Sequence, residues 1–506
     1  MGYSLSGSDY SLFSIGYSLM LNNPDAVPQP MGEFKPLDEW QAHISDIFYG
    51  LRGGRVQDYY QTFASADYRL AHALASDYYH RVIAREQARG KGLEARGKTT
   101  SEEPTPRLSP LASRLIIHEW GPGNGNLAAC FLTHLKALDK DGRVYPRVRY
   151  VLVDPHQPIL DGARDHPDLA PHRERVETLR AEAGSLAPVK DGTVDRILCN
   201  ELWNELPAKL MLRKGSDVEE EYLRPNLHEK RYEAIEDWSG FVRAFGAKNV
   251  EALKKFPPFL EDIVWEKEYH KTDWKEAPYR KTTVEFLKRI DEHVLVPVNL
   301  GAFATLAEAK RVLAPGAAGF SSFDAGAVEM AVMNDPEKPC YGLFGGQYSF
   351  MVNFALVQAV AAYLGIRSVT IETQREFVGR SLATNVISLM DLLACYPSPK
   401  SLQPWEQDRL IVRTIRALKG SYRSPYRRRF EFPIRKETPE AERGALEDMV
   451  RALGEDGVPD TVAYVAEEEL AGAMGELTQL GYRRETIMAA LAMPPQPIDY
   501  RHFFFG

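Results

Sequence analysis

The sequence has little of what marks several large classes of protein. Its four cysteines are scattered over 506 residues, and no two of them form a CxxC pair. This pattern argues against a disulfide scaffold or a cysteine-rich metal site, and it favours reduced thiols in the cytoplasm. No HExxH pair occurs, and the twelve histidines show no spacing typical of metal ligands. We therefore predict that the protein holds no metal.

Positive charge and long apolar runs are also scarce. The formal net charge is -8, so the protein has no general electrostatic attraction to nucleic acid. No apolar run in the sequence approaches the roughly 20 residues that a membrane-spanning helix needs. The first residues lack the basic stretch and apolar core of a secretory signal. These features predict a cytoplasmic protein that acts on a protein or a small molecule, and they leave homodimer formation open.

What is present is an ordinary globular composition, with 44% hydrophobic and 26% charged residues. From residue 115 onwards, short apolar runs alternate with segments of helical periodicity. This alternation predicts an α/β fold, with a mostly parallel, Rossmann-like sheet covered by helices on both faces. Its strands are predicted at 115–117, 148–154, 175–180, 194–199, 319–324 and 368–372.

Changes of composition along the chain predict its division into domains. A charged, aromatic-rich segment interrupts the strand and helix rhythm, and we interpret it as a cap over the active-site end of the sheet. The last hundred residues are predicted to be helical. The predicted division is 1–110 for an N-terminal helical region and linker, 111–215 for the first half of the α/β domain, 216–297 for the inserted cap, 298–395 for the rest of the α/β domain and 396–506 for a helical C-terminal extension.

A glycine-rich segment, IIHEWGPGNGNLA at 116–128, joins the first predicted strand to its helix. Gly121, Gly123 and Gly125 allow a tight turn and a close approach of the backbone to a ligand. Their spacing departs from the GxGxxG of dinucleotide sites. Glu119 precedes them, and a carboxylate there suits a ligand with an ammonium group. S-adenosylmethionine carries an ammonium group and a sulfonium cation, so we predict it as the cofactor.

Two further carboxylates suit the same cofactor. Asp154, followed by Pro155, ends the second strand, where a carboxylate accepts hydrogen bonds from ribose hydroxyls. Glu182 follows the third strand, at a position that contacts adenine in folds of this kind. The alternative interpretation is a glycine turn that binds no ligand.

Five segments resemble the motifs of the MidA-like methyltransferases, whose mitochondrial members assist the assembly of respiratory complex I. EWGPGNGNLA at 119–128 and NELWNELP at 200–207 are similar to the family's EIGPGRGTLA and NEFFDALP. Three later segments are similar to further family motifs: GFSSFDAG at 319–326, SFMVNFALVQAVAAYLG at 349–365 and ETQREFVGR at 372–380. The resemblance implies a class I methyltransferase fold, S-adenosylmethionine as cofactor and dimethylation of a protein arginine.

The resemblance also implies roles for individual residues. Cofactor binding falls to Glu119, Gly121, Gly123 and Asp154, and the methyl-transfer site falls to Asn200 and Glu201. An arginine acceptor needs carboxylates that pair with its guanidinium. Glu201 is the first candidate because it follows the fourth strand directly, and Glu205 is the second because it lies one helical turn further on. Asn200 is interpreted either as a residue that shapes the turn or as a ligand-binding residue.

Several positions depart from the family's motifs. Asn204 and Asn353 each stand where the family has aspartate, and Ala325 stands where it has tyrosine. We predict that Asn204, Asp324 and Asn353 lie on the substrate side of the site. The two asparagines leave two other functions open: an assembly protein that keeps the fold without turnover, and a methyltransferase that acts on a small molecule.

Overall fold

The computed structural model describes eleven stretches of the chain, and everything below refers to these. They are residues 28–53, 68–96, 114–275, 277–337, 340–422, 424–426, 432, 434–435, 438–455, 464–493 and 499–506. The helix that begins at Tyr68 continues to Arg96, into the linker of the predicted N-terminal region. Residues 97–113 lie outside the described residues.

Helices and strands alternate through the described residues. The helices are α1 (Leu37–Arg52), α2 (Tyr68–Arg96), α3 (Asn126–Leu138), α4 (Gln157–Arg164), α5 (Glu229–Tyr232), α6 (Trp238–Gly246), α7 (Val250–Leu253), α8 (Arg280–Leu287), α9 (Leu300–Val312), α10 (Met330–Met333), α11 (Phe354–Tyr363), α12 (Gln374–Leu382), α13 (Leu389–Ala394), α14 (Pro404–Leu418), α15 (Glu440–Glu455), α16 (Glu467–Gln479) and α17 (Arg484–Ala492). The strands are β1 (Gln29–Pro30), β2 (Lys35–Pro36), β3 (Leu115–Trp120), β4 (Val148–Asp154), β5 (Val176–Arg180), β6 (Arg196–Asn200), β7 (Lys209–Lys214), β8 (Asp217–Leu227), β9 (Ile263–Lys271), β10 (Val296–Val298), β11 (Gly319–Ala327), β12 (Tyr341–Phe344), β13 (Gln347–Phe350), β14 (Val352–Asn353), β15 (Val369–Thr373), β16 (Val386–Ser388), β17 (Tyr464–Ala466) and β18 (Asp499–Phe505).

The main sheet has the strand order β15-β18-β11-β6-β3-β4-β5, with β14 paired to β11. Strands β3, β4, β5, β6 and β11 run parallel to one another, and β18 runs antiparallel between β11 and β15. This is the class I methyltransferase fold that the sequence predicts. The order reverses beside β3, because the chain proceeds from β3 to β4 and β5 on one side and later places β6 on the other.

Both faces of the main sheet are buried, as the continuous apolar strands predict. Ile197 and Cys199 of β6 face one core, which includes Phe303 of α9 and Val357 of α11. Leu198 between them faces a second core, which includes helices α2, α3 and α12. Two cores, one on each face, therefore hold the sheet and fix the positions of its strand ends.

The C-terminal end of the chain differs from the predicted helical extension. Helices α14 to α17 lie in this segment, but residues 464–466 form β17 and residues 499–505 form β18 in the interior of the main sheet. Phe503 pairs with Ser322 of β11 on one side and with Ile371 of β15 on the other. Phe503 is fully buried and His502 is 1% exposed on the opposite face, because a strand in the middle of a sheet points alternate side chains into both cores. The aromatic tail is therefore core.

A second, antiparallel sheet forms the cap. Strand β8 lies at its centre and pairs with β1, β2, β7 and β9, and β7 also pairs with β10. Its core includes Trp40 of α1, Phe241 and Phe245 of α6 and Trp265 of β9. Helix α1 therefore belongs to the cap, whereas α2 packs on the main sheet. The structure thus divides the predicted N-terminal region between two layers of the molecule.

Candidate functional site

The glycine-rich segment forms a closed turn between β3 and α3. The Gly121 amide donates to the carbonyl of Val153 at 2.9 Å, and the Gly125 amide donates to the carbonyl of Pro122 at 2.9 Å. All three glycines of the segment have positive φ, between 54° and 82°. The turn ends where α3 begins at Asn126, so the first amides of this helix point towards the carboxyl end of the sheet.

Gly123 and Gly125 show why this turn needs glycine. A Cβ atom on Gly125 would lie 2.4 Å from the carbonyl oxygen of Ala163, at the end of α4. A Cβ atom on Gly123 would meet nothing within 4 Å. The two positions therefore differ in role: Gly125 allows the turn to pack on α4, and Gly123 exposes its backbone to open space. The sequence predicts that Gly125 contacts the cofactor, but Gly125 does not line the cleft described next.

A cleft of about 1110 Å³ lies at the carboxyl ends of β3, β4 and β6, where the strand order reverses. Ligands of open α/β sheets bind at this kind of reversal. The cleft wall brings together nine of the residues that the sequence analysis selects: Glu119, Gly121, Gly123, Asp154, Pro155, Glu182, Asn200, Glu201 and Glu205. These residues come from the ends of four consecutive parallel strands and the loops that follow them.

Two carboxyl groups on the cleft floor have strongly raised pKa values. Glu119 is 3% exposed, and burial raises its pKa to about 8, although the hydroxyl of Tyr150 donates to its Oε2 at 2.7 Å. Burial also raises the pKa of Asp154 to about 7, and the backbone amide of His156 donates to its Oδ1 at 2.8 Å. Removing these carboxylates from water has a free-energy cost that a cationic ligand would offset.

Asn200 and Glu201 lie at the carboxyl end of β6, beside the point where the strand order of the sheet reverses. The Oδ1 of Asn200 is buried, and no described residue donates a hydrogen bond to it. Glu201 has φ of 51° and is 7% exposed, and its amide donates to the carbonyl of Phe323 at 2.7 Å. A left-handed conformation is uncommon for a residue with a side chain, and its cost is typical of functional sites. The turn directs both side chains to the cleft.

Glu205 reaches the same cleft by a route that the sequence analysis does not foresee. Residues 201–206 form successive turns and no helix, so the predicted helical spacing of Glu201 and Glu205 is wrong. The side chain of Glu205 instead accepts a hydrogen bond from the hydroxyl of Tyr49 in α1. Tyr49 also lines the cleft, and its ring lies 5.1 Å from that of His156.

Gln41 of α1 fastens the same loop from behind. Its Nε2 donates to the carbonyls of Glu205 and Leu206 at 3.1 and 2.9 Å, and its Oε1 accepts from the amide of Ala208 at 2.8 Å. Gln41 is 1% exposed. Sequence reasoning missed both Gln41 and Tyr49. The available signal was a glutamine within the apolar stripe of an amphipathic helix, a position where a buried amide needs partners.

The three predicted substrate-side residues do not line the cleft. Asp324 is fully buried beneath it and accepts from the amide of Asn204 at 3.1 Å and from the hydroxyl of Ser322 at 2.7 Å. Asn353 is fully buried and caps α11, since its Oδ1 accepts from the amide of Leu356 at 3.1 Å. We correct Asp324 and Asn353 to structural residues, because their side chains accept hydrogen bonds within the fold. Asn204 is 5% exposed, and its Oδ1 has no hydrogen-bond partner among the described residues.

Carboxylates dominate the charge of the cleft wall. Among the described lining residues, Lys248 is the only lysine or arginine. The acidic ones are Asp46, Glu119, Asp154, Asp165, Glu182, Glu201 and Glu205. Lys248 comes from the cap, and its Nζ lies 2.5 Å from Asp46 of α1. The wall therefore has an excess of negative charge and suits a ligand with positive charge.

The chain matches no protein-family model and no curated protein sequence. It is similar in structure to two proteins of one superfamily from Burkholderia thailandensis. An uncharacterized member has a TM-score of 0.42 and 14% identity over 76% of this chain and 83% of its own. A second member, bound to S-adenosyl-homocysteine, has a TM-score of 0.40 and 13% identity over 90% of this chain and 92% of its own.

An S-adenosylmethionine-dependent methyltransferase from Aquifex aeolicus aligns less extensively. Its TM-score is 0.24, with 12% identity over 52% of this chain and 78% of its own. No helix among the described residues has the length and apolar character to cross a membrane. The assignment of a class I methyltransferase fold rests on the strand order of the chain itself, with β18 reversed between β11 and β15.

Proposed function

We propose that the protein is an S-adenosylmethionine-dependent methyltransferase. The observation that supports this most strongly is the convergence, on one cleft, of residues from four strand ends that the sequence selects for this cofactor. The cofactor supplies an electrophilic methyl group on a sulfonium cation. The chain has to hold that cation, orient an acceptor in line with the methyl group and exclude water. Orientation alone is worth about 7 to 11 kcal/mol of the barrier in favourable cases.

The residues of the cleft fit the proposed cofactor. The open space at Gly123 accommodates the amino-acid end of a ligand beside the first amides of α3. Asp154 would accept the ribose hydroxyls, and Glu182, which is exposed at the mouth, would contact the adenine. The buried Oδ1 of Asn200, which lacks a donor among the described residues, would accept from a ligand N–H.

The acceptor class that we propose is a protein arginine, with a small cationic metabolite as the alternative. The resemblance to the MidA-like family motivates this choice, and the acidic wall supports it because a guanidinium needs carboxylate partners. Glu201 is our candidate for the acceptor carboxylate, since its strained backbone places it at the end of the strand beside the reversal. The proton that the methylated nitrogen releases would pass to a nearby carboxylate or to solvent.

Cofactor binding is the first test. Titration of the full chain with S-adenosylmethionine should give saturable binding to wild type and at least tenfold weaker binding to Asp154→Ala, about 1.4 kcal/mol. Asp141→Ala serves as the control, since Asp141 is an exposed loop carboxylate outside the cleft. Wild-type protein that shows no binding would remove the proposed function.

Methyl transfer is the second test. The protein and methyl-labelled cofactor are incubated with cell lysate, and labelled proteins and metabolites are identified by mass spectrometry. Label on arginine supports the proposed acceptor, and label on a small molecule replaces it with the alternative. Glu201→Gln should abolish labelling while cofactor affinity stays within about twofold of wild type. Binding without any labelled product would indicate a protein that keeps the cofactor for a non-catalytic role.

A further inference from the structure

Glu205 occupies a central position in the charge distribution of the cleft. Burial raises the pKa values of Asp154 and Asp324 to about 7, and the charge of Glu205 contributes to both shifts. Asp154 ends β4 and Asp324 lies in β11, on opposite sides of the reversal. The ring of Tyr49, which donates to Glu205, lies 5.1 Å from that of His156 in the loop after β4. The amide of Asn204, next to Glu205, donates to Asp324 of β11 at 3.1 Å. These contacts place Glu205 between the two strand ends. This is the part of the cleft where a bound ligand crosses from β4 to β6.

The side chain of Glu205 is held by a hydrogen bond from helix α1, in which the hydroxyl of Tyr49 donates to Oε2 of Glu205. The side-chain amide of Gln347, in β13, donates to the Oγ of Ser45 in the same helix at 3.2 Å. Burial and the charge of Glu205 hold the pKa of Tyr49 well above its usual value, so the hydroxyl stays a donor. An acceptor of such a bond is most stable as a carboxylate.

The backbone beneath Glu205 is equally constrained. Gln41 binds the carbonyls of residues 205 and 206 and the amide of residue 208. Side chain and backbone of Glu205 are therefore both positioned by helix α1. A residue that merely shaped the turn would need the backbone contacts alone. The additional hydroxyl donor indicates that the position of the carboxylate itself matters.

We propose that Glu205, held by Tyr49, is the counter-ion of the cofactor's sulfonium group, so that the cleft distinguishes the charged cofactor from its neutral-sulfur product. This inference rests on the proposed function and reassigns Glu205 from acceptor binding to cofactor binding. Tyr49 is a positioning residue, which acts through Glu205.

The proposal gives the carboxylate a part in turnover. In methyl transfer the bond between sulfur and the methyl carbon breaks, its electron pair stays on sulfur, and a new bond forms between the methyl carbon and the acceptor atom. The sulfonium thereby becomes a neutral thioether, while the amino-acid end keeps its charge. A carboxylate beside sulfur loses its electrostatic partner at that moment. Glu205 would therefore contribute to retention of the charged cofactor and not to retention of the product.

The test compares the affinities of the full chain for S-adenosylmethionine and S-adenosyl-homocysteine by isothermal titration calorimetry. These ligands differ in the methyl group and in the sulfonium charge. Glu205→Gln should weaken binding of S-adenosylmethionine about tenfold and binding of S-adenosyl-homocysteine less than twofold, and tenfold corresponds to about 1.4 kcal/mol. Tyr49→Phe should change the affinity ratio in the same direction by a smaller factor, because the carboxylate remains but is no longer held.

Glu182→Gln is the matched control, since it removes the same charge from an exposed position on the cleft wall. It should weaken both ligands by the same factor and leave their ratio unchanged. An unchanged ratio in Glu205→Gln would overturn the inference while the proposed function stands, provided that wild type binds both ligands. Wild type that binds neither ligand would overturn both. If Glu205→Gln does not fold, the ratio in Tyr49→Phe decides.

Discussion

The two walls of the cleft are built in different ways. The wall that carries most of the proposed cofactor contacts comes from one continuous stretch, residues 115–201, in which each strand end is followed by its loop. The opposite wall comes from separated segments: α1, the loop after β6, the cap around Lys248 and the start of α9. Its contacts join residues that are far apart in sequence, such as Gln41 with Leu206 and His43 with Phe245.

This difference predicts how the two walls respond to mutation. A change in the first wall acts on a local turn and should affect cofactor binding and the stability of the main sheet. A change in the second wall acts on the contact between α1, the cap and the loop carrying Glu205, so it should lower the affinity for S-adenosylmethionine more than the affinity for S-adenosyl-homocysteine. The following variants test this separation.

Gly125→Ala should have the largest effect, within the first wall. The added Cβ would lie 2.4 Å from a backbone oxygen, and φ at this position is 82°. We expect a loss of about 3 kcal/mol or more in the free energy of unfolding, measured by denaturant titration. Gly123→Ala is the control, because its Cβ would enter open space at φ of 54°. It should lose only about 1 to 2 kcal/mol, and equal losses would contradict our account of the turn.

Gln41→Leu should have the next largest effect, in the second wall. It removes three hydrogen bonds and leaves two carbonyls and one amide of the loop without this partner. We expect a loss of about 2 to 3 kcal/mol in the free energy of unfolding, together with a larger fall in affinity for S-adenosylmethionine than for S-adenosyl-homocysteine. Glu39→Leu, at an exposed position of the same helix, should stay within about 0.5 kcal/mol of wild type. Equal falls in the two affinities would contradict the role that we give to the second wall.

Asp154→Asn should raise the stability of the folded state at high pH, although it removes a carboxylate that we assign to cofactor binding. The pKa of Asp154 is raised to about 7 in the folded state, so its contribution to stability is complete below pH 4 and is lost as the pH rises towards 7. The variant should therefore match wild type near pH 4 and exceed it at pH 8. A rise of the pKa by about three units corresponds to about 4 kcal/mol, and we expect about half of that because Asp154 is only partly buried. Thermal unfolding at a series of pH values measures this difference. A difference in stability that does not depend on pH would show that the pKa of Asp154 is not raised in the folded state.

The same raised pKa values set the pH dependence of ligand binding in wild type. A cationic cofactor favours the ionised forms of Asp154 and Glu119, whose pKa values in the free protein are about 7 and 8. Affinity for S-adenosylmethionine should therefore rise between pH 6 and about pH 7.5, below the pKa of about 8 at which the ligand's own ammonium group loses its charge. Calorimetry in buffers of equal ionic strength measures this rise, and affinity that falls over this range would contradict a carboxylate site for a cation.

Lys248→Met should have the smallest effect on stability. Its ion pair with Asp46 has half-exposed partners, so its loss should cost less than about 1 kcal/mol. Since Lys248 lines the cleft, its removal should also strengthen binding of the cationic cofactor by about twofold, or about 0.4 kcal/mol. Lys254→Met removes a similar exposed pair with Glu251 elsewhere in the cap and should leave affinity unchanged. Equal affinities of the two variants would show that the charge of Lys248 does not reach the cofactor.

The sequence was sufficient for the first wall because its signals are local. A strand, a turn with positive φ and a helix require particular residues within about ten positions, and a carboxylate at a strand end is read directly from the pattern. Glu119, Gly123 and Asp154 were found in this way, and all three line the cleft. Asn353 was misassigned to the substrate, although its position at the start of a helix is typical of an N-cap.

The second wall could not be found from local patterns. The periodicity of α1 correctly predicts an amphipathic helix, but it does not say which surface that helix covers. Tyr49 meets Glu205 across 156 positions of sequence, and only the packed cap brings them together. The aromatic tail is a similar case, because a run of consecutive large side chains is buried on both faces only when it pairs with two strands that lie far away in the chain.

The amino-acid sequence by itself determined the parallel sheet, its glycine turn and the carboxylates at its strand ends, since these depend on backbone geometry over short distances. The tertiary structure alone decided that α1 joins the cap, that Tyr49 holds Glu205 and that the last strand completes the sheet. The physical reason is that these contacts are selected by the burial of apolar faces and the pairing of buried polar groups, which depend on the whole folded chain.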